Sequence, residues 1–263
     1  MKLVFITGAS SGIGQALAMA YLQKDWRVAV VARRMDALRT WANETTQHLG
    51  LEADRIGVFG ADVQDADSII SAAEQCIAQM GLPDVVIANA GISLGVDTAE
   101  REDLAVMRQV MDTNVLGMAA TFHPFIRGMQ ARGSGNLVGI ASVAGIRGLP
   151  GHAAYCASKA AVISYCESLR GELRTSGIQV TTIAPGYVST PLTARNRYPM
   201  PFLMTANDFA RQAFRCIARG TSYQVIPRPM GIVAKLLRLL PNAVFDRLLK
   251  GQPRKHRHSR SEN

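Results

Sequence analysis

The sequence predicts a doubly wound α/β fold, one parallel sheet of seven strands with helices on both faces. Three observations predict it. Short apolar runs alternate with helical patterns along most of the chain. The runs are continuously apolar rather than alternating in polarity, as strands buried on both faces require. No linker, low-complexity tract or repeat divides the 263 residues, so a single domain with one large core accommodates them.

The elements follow in order. LVFIT (3–7), RVAVVA (27–32), RIGVFG (55–60), DVVIAN (84–89), NLVGIAS (136–142), IQVTTIA (178–184) and SYQVI (222–226) read as strands. Residues 12–24, 35–49, 65–80, 101–132, 152–175 and 207–219 read as helices. Regular βα alternation implies right-handed crossovers. It also places a ligand crevice at the carboxyl ends of the strands. Residues 1–227 form the catalytic domain of this reading. Residues 228–263 form a basic amphipathic extension, part of the same domain or peripheral to it.

Composition narrows the function classes. Lys and Arg number 29 against 20 Asp and Glu, a net charge of +9. Residues 228–263 hold nine basic and two acidic side chains, so the body is nearly neutral and no nucleic-acid partner is expected. The four cysteines (Cys76, Cys156, Cys166, Cys216) are widely spaced. That spacing argues against a disulfide framework and a zinc site, and fits a reducing, cytoplasmic compartment. No run approaches the roughly 20 apolar residues of a spanning helix, and MKLVFITGAS reads as a first strand rather than a leader.

The first strand runs into TGASSGIG, Thr7 to Gly14, and then a helix. Gly8, Gly12 and Gly14 let the backbone turn tightly and approach a pyrophosphate, and the helix N-terminus offers N–H groups and a positive dipole end. The second strand ends in Ala32, Arg33 and Arg34, with no carboxylate for a ribose 2′-hydroxyl. A guanidinium grips a 2′-phosphate bidentately, so the expected cofactor is NADP(H), with Arg33 as main contact and Arg34 beside it. Later in the chain, YCASK places Tyr155 four residues before Lys159, on one helix face. An ammonium there favours the phenolate and lowers a tyrosine pKa from its usual value of about 10. Cys156 points about 100° away from that face and reads as core.

Together these motifs resemble the classical short-chain dehydrogenase/reductases over residues 1–227. TGASSGIG resembles the family's cofactor loop, ADV (61–63) its adenine-contact segment, and ANAG (88–91) its NNAG, with Ala88 in place of the first Asn. NVLG carries Asn114, IASVAG carries Ser142, YCASK carries Tyr155 and Lys159, and APGYVST resembles the segment flanking the nicotinamide. The resemblance implies a Rossmann fold with cofactor contacts from Gly8, Ser10, Ser11, Gly12, Ile13, Arg33, Arg34, Asp62, Val63, Asn89, Ala90, Gly91, Tyr155, Lys159, Pro185, Gly186, Val188 and Thr190.

The resemblance also implies the catalytic roles. Tyr155 is the general acid in reduction and the base in oxidation. Ser142 hydrogen-bonds the substrate oxygen, Lys159 binds the nicotinamide ribose and tunes Tyr155, and Asn114 holds a water that relays protons from Lys159. A homodimer or homotetramer through 101–132 and 152–175 is implied as well.

For the substrate, the segment TPLTARNRYPMPFLMTAN (190–207) is apolar through Tyr198, Met200, Phe202, Leu203 and Met204, with Arg195 and Arg197 facing an anion or water. Ser93, Leu94, Val143, Ile146 and Tyr187 are further wall residues, with His152 at the mouth. The expected partner is a small-molecule carbonyl or alcohol, apolar in character. The expected activity is carbonyl reduction, or alcohol oxidation in reverse. A 3-oxoacyl thioester reductase and a non-catalytic NADP(H) sensor are the alternatives.

Past Arg228, the residues Val233, Leu236, Leu237, Leu240, Val244 and Leu248 fall near one helical stripe that Pro241 interrupts. Two readings stand for 231–260: packing on the body or a partner subunit, or a peripheral contact with an anionic membrane.

Overall fold

A computed structural model describes residues 1–194, 196 and 199–251. Arg195, Arg197, Tyr198 and the segment 252–260 named above lie outside the described residues. The chain runs β1 (Leu3–Thr7), α1 (Gly12–Leu22), β2 (Arg27–Ala32), α2 (Met35–Leu49), β3 (Ile56–Gly60), α3 (Ala66–Met80) and β4 (Val85–Ala88). Then come α4 (Asp103–Met111), α5 (Gly117–Arg132), β5 (Gly135–Ile140), α6 (Ala153–Glu172) and β6 (Ile178–Pro185). A two-residue pair follows, β7 (Val188–Ser189) with β8 (Met204–Thr205). The last elements are α7 (Ala206–Ala218), β9 (Tyr223–Ile226), α8 (Arg228–Leu239) and α9 (Asn242–Leu249).

The main sheet has seven parallel strands in the order β3-β2-β1-β4-β5-β6-β9. The chain starts at the centre, winds out to β3, and returns beside β1 with β4. That reversal is the topological switch point, where open α/β sheets bind ligands at the strand C-termini. Central strands β1, β4 and β5 are buried almost throughout, which is why their sequences show no polar alternation. One core layer, with Phe5, Phe122, Phe125 and Met129, lies on one face of the sheet. The other, with Ile6, Leu17, Tyr21 and Phe209, lies on the opposite face.

Local chemistry sets the helix starts. Asp65 accepts from the backbone N–H of Asp67 and Ser68 (3.1 and 3.3 Å) and caps α3. Thr205 accepts from Asp208 N–H at 3.1 Å to cap α7. The helix read across 101–132 is three pieces, because one turn of π-helix, Asp112–Leu116, separates α4 from α5. A π-turn inserts an extra residue and re-aims its side chains. Here it carries Asn114, which is fully buried.

Over its described residues, 228–251, the C-terminal extension forms two helices that break at Pro241, as the sequence indicates. Met230, Ala234 and Phe245 are buried against the body. Arg147, in the loop before α6, ties the elbow down. It donates to the carbonyls of Leu237 and Leu240 (the latter at 2.8 Å) and to Asn242 Oδ1 at 3.1 Å. Its guanidinium also stacks 3.8 Å from the Phe245 ring centre. No described helix is long and apolar enough to cross a membrane.

Candidate active site

The loop after β1 is held by Asn89. Its Nδ2 donates to the carbonyls of Thr7 (2.9 Å) and Gly8 (3.2 Å). Thr7 Oγ1 in turn accepts from the N–H groups of Asn89 and Ala90 (3.1 and 3.2 Å). Gly8 and Gly12 have φ of +68° and +58°, where a side chain is strained. A Cβ on Gly8 would stand 2.7 Å from Ala90 Cα. Ser11 makes no side-chain cap for α1, so its first N–H groups face the cleft uncapped.

A cleft of about 790 Å3 opens over this loop, at the C-terminal ends of β1, β2, β4, β5 and β6. Every residue expected at the cofactor lines it, from Gly8 and Ser10 through Arg33, Arg34 and Asp62 to Gly91, Pro185 and Thr190. Arg34 donates to Ser10 Oγ at 3.1 Å, while Arg33 pairs with the Asp62 carboxylate at 3.6 Å. The glycine cradle and the uncapped helix start fit the pyrophosphate of an elongated dinucleotide.

At the other end, Ser142, Tyr155 and Lys159 converge. Ser142 lies two residues past β5 and opens a short 3-10 turn, Val143–Gly145, its Oγ accepting from Ala144 N–H at 3.1 Å. Tyr155 and Lys159 are on α6, and Lys159 Nζ sits 5.9 Å from the Tyr155 ring centre. Asn114 lies behind them. Its Oδ1 accepts from Ile92 N–H (2.8 Å), and its Nδ2 donates to Ile92 O and to Ser158 Oγ (2.9 Å each). Ser158 closes the link by donating to Tyr155 O at 2.8 Å.

The electrostatics correct one sequence expectation. Desolvation inside the cleft pushes the Tyr155 hydroxyl above its ordinary pKa, and the Ser142 hydrogen bond pulls it partly back. Lys159 is not among the groups that move it, and its ammonium donates to Ile140 O at 2.8 Å. Burial in turn lowers Lys159 from 10.5 to about 8.

That shift has a stability consequence. Between pH 8 and 10.5 the unfolded chain holds a proton that the folded chain has released, so stability rises with pH across that window. Below pH 8 the buried ammonium costs on the order of 3 kcal/mol. Lys159→Met removes that cost and leaves Ile140 O without its partner, worth about 1 kcal/mol. The variant is expected to melt higher than wild type at pH 7 without cofactor, and to lose the rise above pH 8. A wild-type melting temperature flat from pH 8 to 10 would refute this.

The expected substrate residues are placed less uniformly. Ser93, Val143, His152, Tyr187, Ile146 and Phe202 are not among the residues lining the cleft. Val143, Ile146 and Tyr187 pack half-buried on the core. Ile146 also lines a second cavity of about 500 Å3, with Cys156, Arg147 and Phe245. His152 is buried, its Nδ1 3.0 Å from Pro150 O, and Ser93 is buried too. Phe202 is half-exposed at a φ of +57°. From the 190–207 segment, Thr190, Pro191, Leu192 and Thr193 line the cleft.

Sequence reasoning missed Ser158 and Thr7, which bridge the motifs. Ser158 sits inside YCASK, where its spacing of three from Tyr155 was a readable signal.

A glycine-cradled cleft at the switch point of this sheet defines a dinucleotide-binding protein of the Rossmann class. The family model for short chain dehydrogenase matches residues 2–200, so the chain belongs to the short-chain dehydrogenase/reductase family. It is 39% identical over 245 residues to an uncharacterized oxidoreductase of Myxococcus xanthus, covering 93% of this chain and 95% of that one. It is similar to the structure of an alcohol dehydrogenase from Thermococcus sibiricus complexed with 5-hydroxy-NADP. The TM-score is 0.75 at 25% identity, over 86% of this chain and 96% of the other. It is also similar to an actinorhodin polyketide ketoreductase with NADPH, with TM-score 0.77 and 27% identity over 86% and 95% of the two chains. The protein is therefore an oxidoreductase whose fold takes a nicotinamide cofactor.

Proposed function

We propose that the protein is an NADP(H)-dependent carbonyl reductase, running as an alcohol dehydrogenase in reverse, on an apolar ketone or aldehyde. The observation that carries it is the convergence of Ser142, Tyr155 and Lys159 at the strand ends, beside the glycine-cradled cleft. Bound there, the nicotinamide supplies or accepts a hydride.

The chain supplies the proton. Ser142, hydrogen-bonded to Tyr155, is placed to hold the substrate oxygen, and the Tyr155 hydroxyl protonates that oxygen as it gains charge. A raised pKa keeps the tyrosine protonated in the reductive direction. Lys159 spends one N–H on Ile140 O and keeps two for a ribose or a water. Asn114 spends both N–H groups and one lone pair of Oδ1, leaving the second lone pair beside Gly91, whose missing side chain opens the path to Lys159. That geometry supports Asn114 holding a relay water.

The phosphate-bearing cofactor is supported by two arginines at the β2 end of the cleft and by the NADP-type ligands named for two similar structures. Asp62 offsets Arg33, so Arg34, bonded to the neutral Ser10, is the stronger anion reader. Arg34→Ala is expected to weaken NADPH about 10- to 100-fold, the loss of one charge-assisted hydrogen bond, with NADH unchanged. Binding titrations with both cofactors check it, and an unaltered ratio refutes Arg34 as the reader. Exposed Leu192, Phe202 and Leu203 on the segment between β7 and β8 support an apolar substrate. The activity itself is tested by following NADPH oxidation against a panel of acyl thioesters, steroids, aldehydes and sugars.

A further inference from the structure

The structure divides the apolar residues of the extension into two faces. Val233, Leu237 and Leu240 turn toward the body and are half-buried, beside Met230 and Ala234. Ile232, Leu236 and Leu239, spaced by four and three, form a second stripe on the opposite side of α8 and are 63%, 60% and 80% exposed. On α9, Val244 and Leu248 repeat the pattern outward while Phe245 is buried. A helix apolar on two faces is built to be covered on both, and the body covers one.

We propose that the outer face of α8–α9 is a docking surface for an anionic lipid bilayer. Charge selects that occupant. Arg228, Lys235, Arg238, Arg247 and Lys250 are all exposed around the two stripes, and Asp246 is their one acidic neighbour in α8–α9. Across 228–263 the sequence holds nine basic and two acidic residues. Two copies of this face brought together would oppose like charges, whereas anionic headgroups complement them while the aliphatic side chains enter the acyl boundary. The Arg147 clasp holds the elbow on the body, so the surface is preformed. The root of α8 also abuts the cleft: a Cβ on Gly186, a cleft residue, would meet Met230 Cγ at 3.0 Å. Docking through α8 thus ties the lipid surface to the cleft wall, a suitable arrangement for an apolar substrate.

The test is flotation of the full chain with vesicles of phosphatidylcholine, with and without phosphatidylserine. The wild type is expected to float with the anionic vesicles and to be released by salt. Leu236→Asp/Leu239→Asp and Lys235→Glu/Lys250→Glu are expected to lower that partition at least tenfold. Because all four residues are exposed, both variants should keep the wild-type melting temperature and circular dichroism, readouts independent of catalysis. A folded wild type that stays unbound overturns the proposal, as do equal binding to neutral vesicles and unchanged flotation of the Asp variant. Loss of a solution dimer in the Asp variant, with no flotation of the wild type, would reassign the face to a subunit contact.

Discussion

Tyr155→Phe is expected to cut carbonyl reduction by about 10²- to 10⁴-fold, the range of one positioned general acid, while NADPH still binds. The substitution removes one oxygen and leaves the ring, which sits half-buried beside Lys159. Ser142 keeps its own hydrogen bond from Ala144 N–H, so its position should hold. The loss should therefore appear in kcat, with the NADPH dissociation constant within about twofold of wild type, since uniform binding is untouched. Single-turnover NADPH oxidation and a fluorescence titration measure the two quantities separately. Retained turnover in the variant would remove Tyr155 from the proton path. Equal inactivity of wild type and variant on every carbonyl, with tight NADPH binding in both, would instead favour the sensor reading.

The sign of the tyrosine shift also marks what the sequence could convey. Spacing predicts that residues 155 and 159 share a face, and they do. It carries no information on what else the ammonium touches, and the Ile140 carbonyl, 19 residues away, takes it. Burial then dominates the titration of both groups. The strands were legible because burial on both faces forces unbroken apolar runs, as in LVFIT and VVIA.

The π-turn at Asp112–Leu116 was not legible, since it follows from a register shift that no residue type marks. Nor was the β7–β8 pair, two residues each, too short for any period. Periodicity found an apolar stripe in the extension, yet half of that stripe faces outward. A helical pattern reports which residues share a face and says nothing of which face meets the body. Arg147 was illegible for the same reason, because its carbonyl partners lie 90 and 93 residues downstream.

Gly145→Ala should cost most of the carbonyl-reducing activity, although Gly145, the last residue of IASVAG, does not itself line the cleft. Gly145 closes the 3-10 turn that Ser142 opens, its N–H donating to Ser142 O at 3.0 Å. A Cβ there would lie 2.6 Å from both C and O of Lys159 and 2.9 Å from Ala160 N. Those atoms are helix backbone and cannot rotate away, so the turn must lift off α6. The shift falls between Ser142 on one side and Tyr155 and Lys159 on the other, where a displacement of about 1 Å costs roughly 100-fold in rate. Overpacking adds about 1–3 kcal/mol of destabilisation. The phosphate loop lies on other elements, so NADPH affinity should change far less than kcat.

Gly148, three residues on, supplies the control. A Cβ there meets nothing within 4 Å, and Gly148→Ala should be neutral or stabilising by a few tenths of a kcal/mol through the unfolded chain. Melting curves and kcat for the pair separate the cause. Matched losses in both variants would mean that the turn needs glycine flexibility. A loss confined to Gly145→Ala means that the active-site geometry is set by how closely this turn rests on α6.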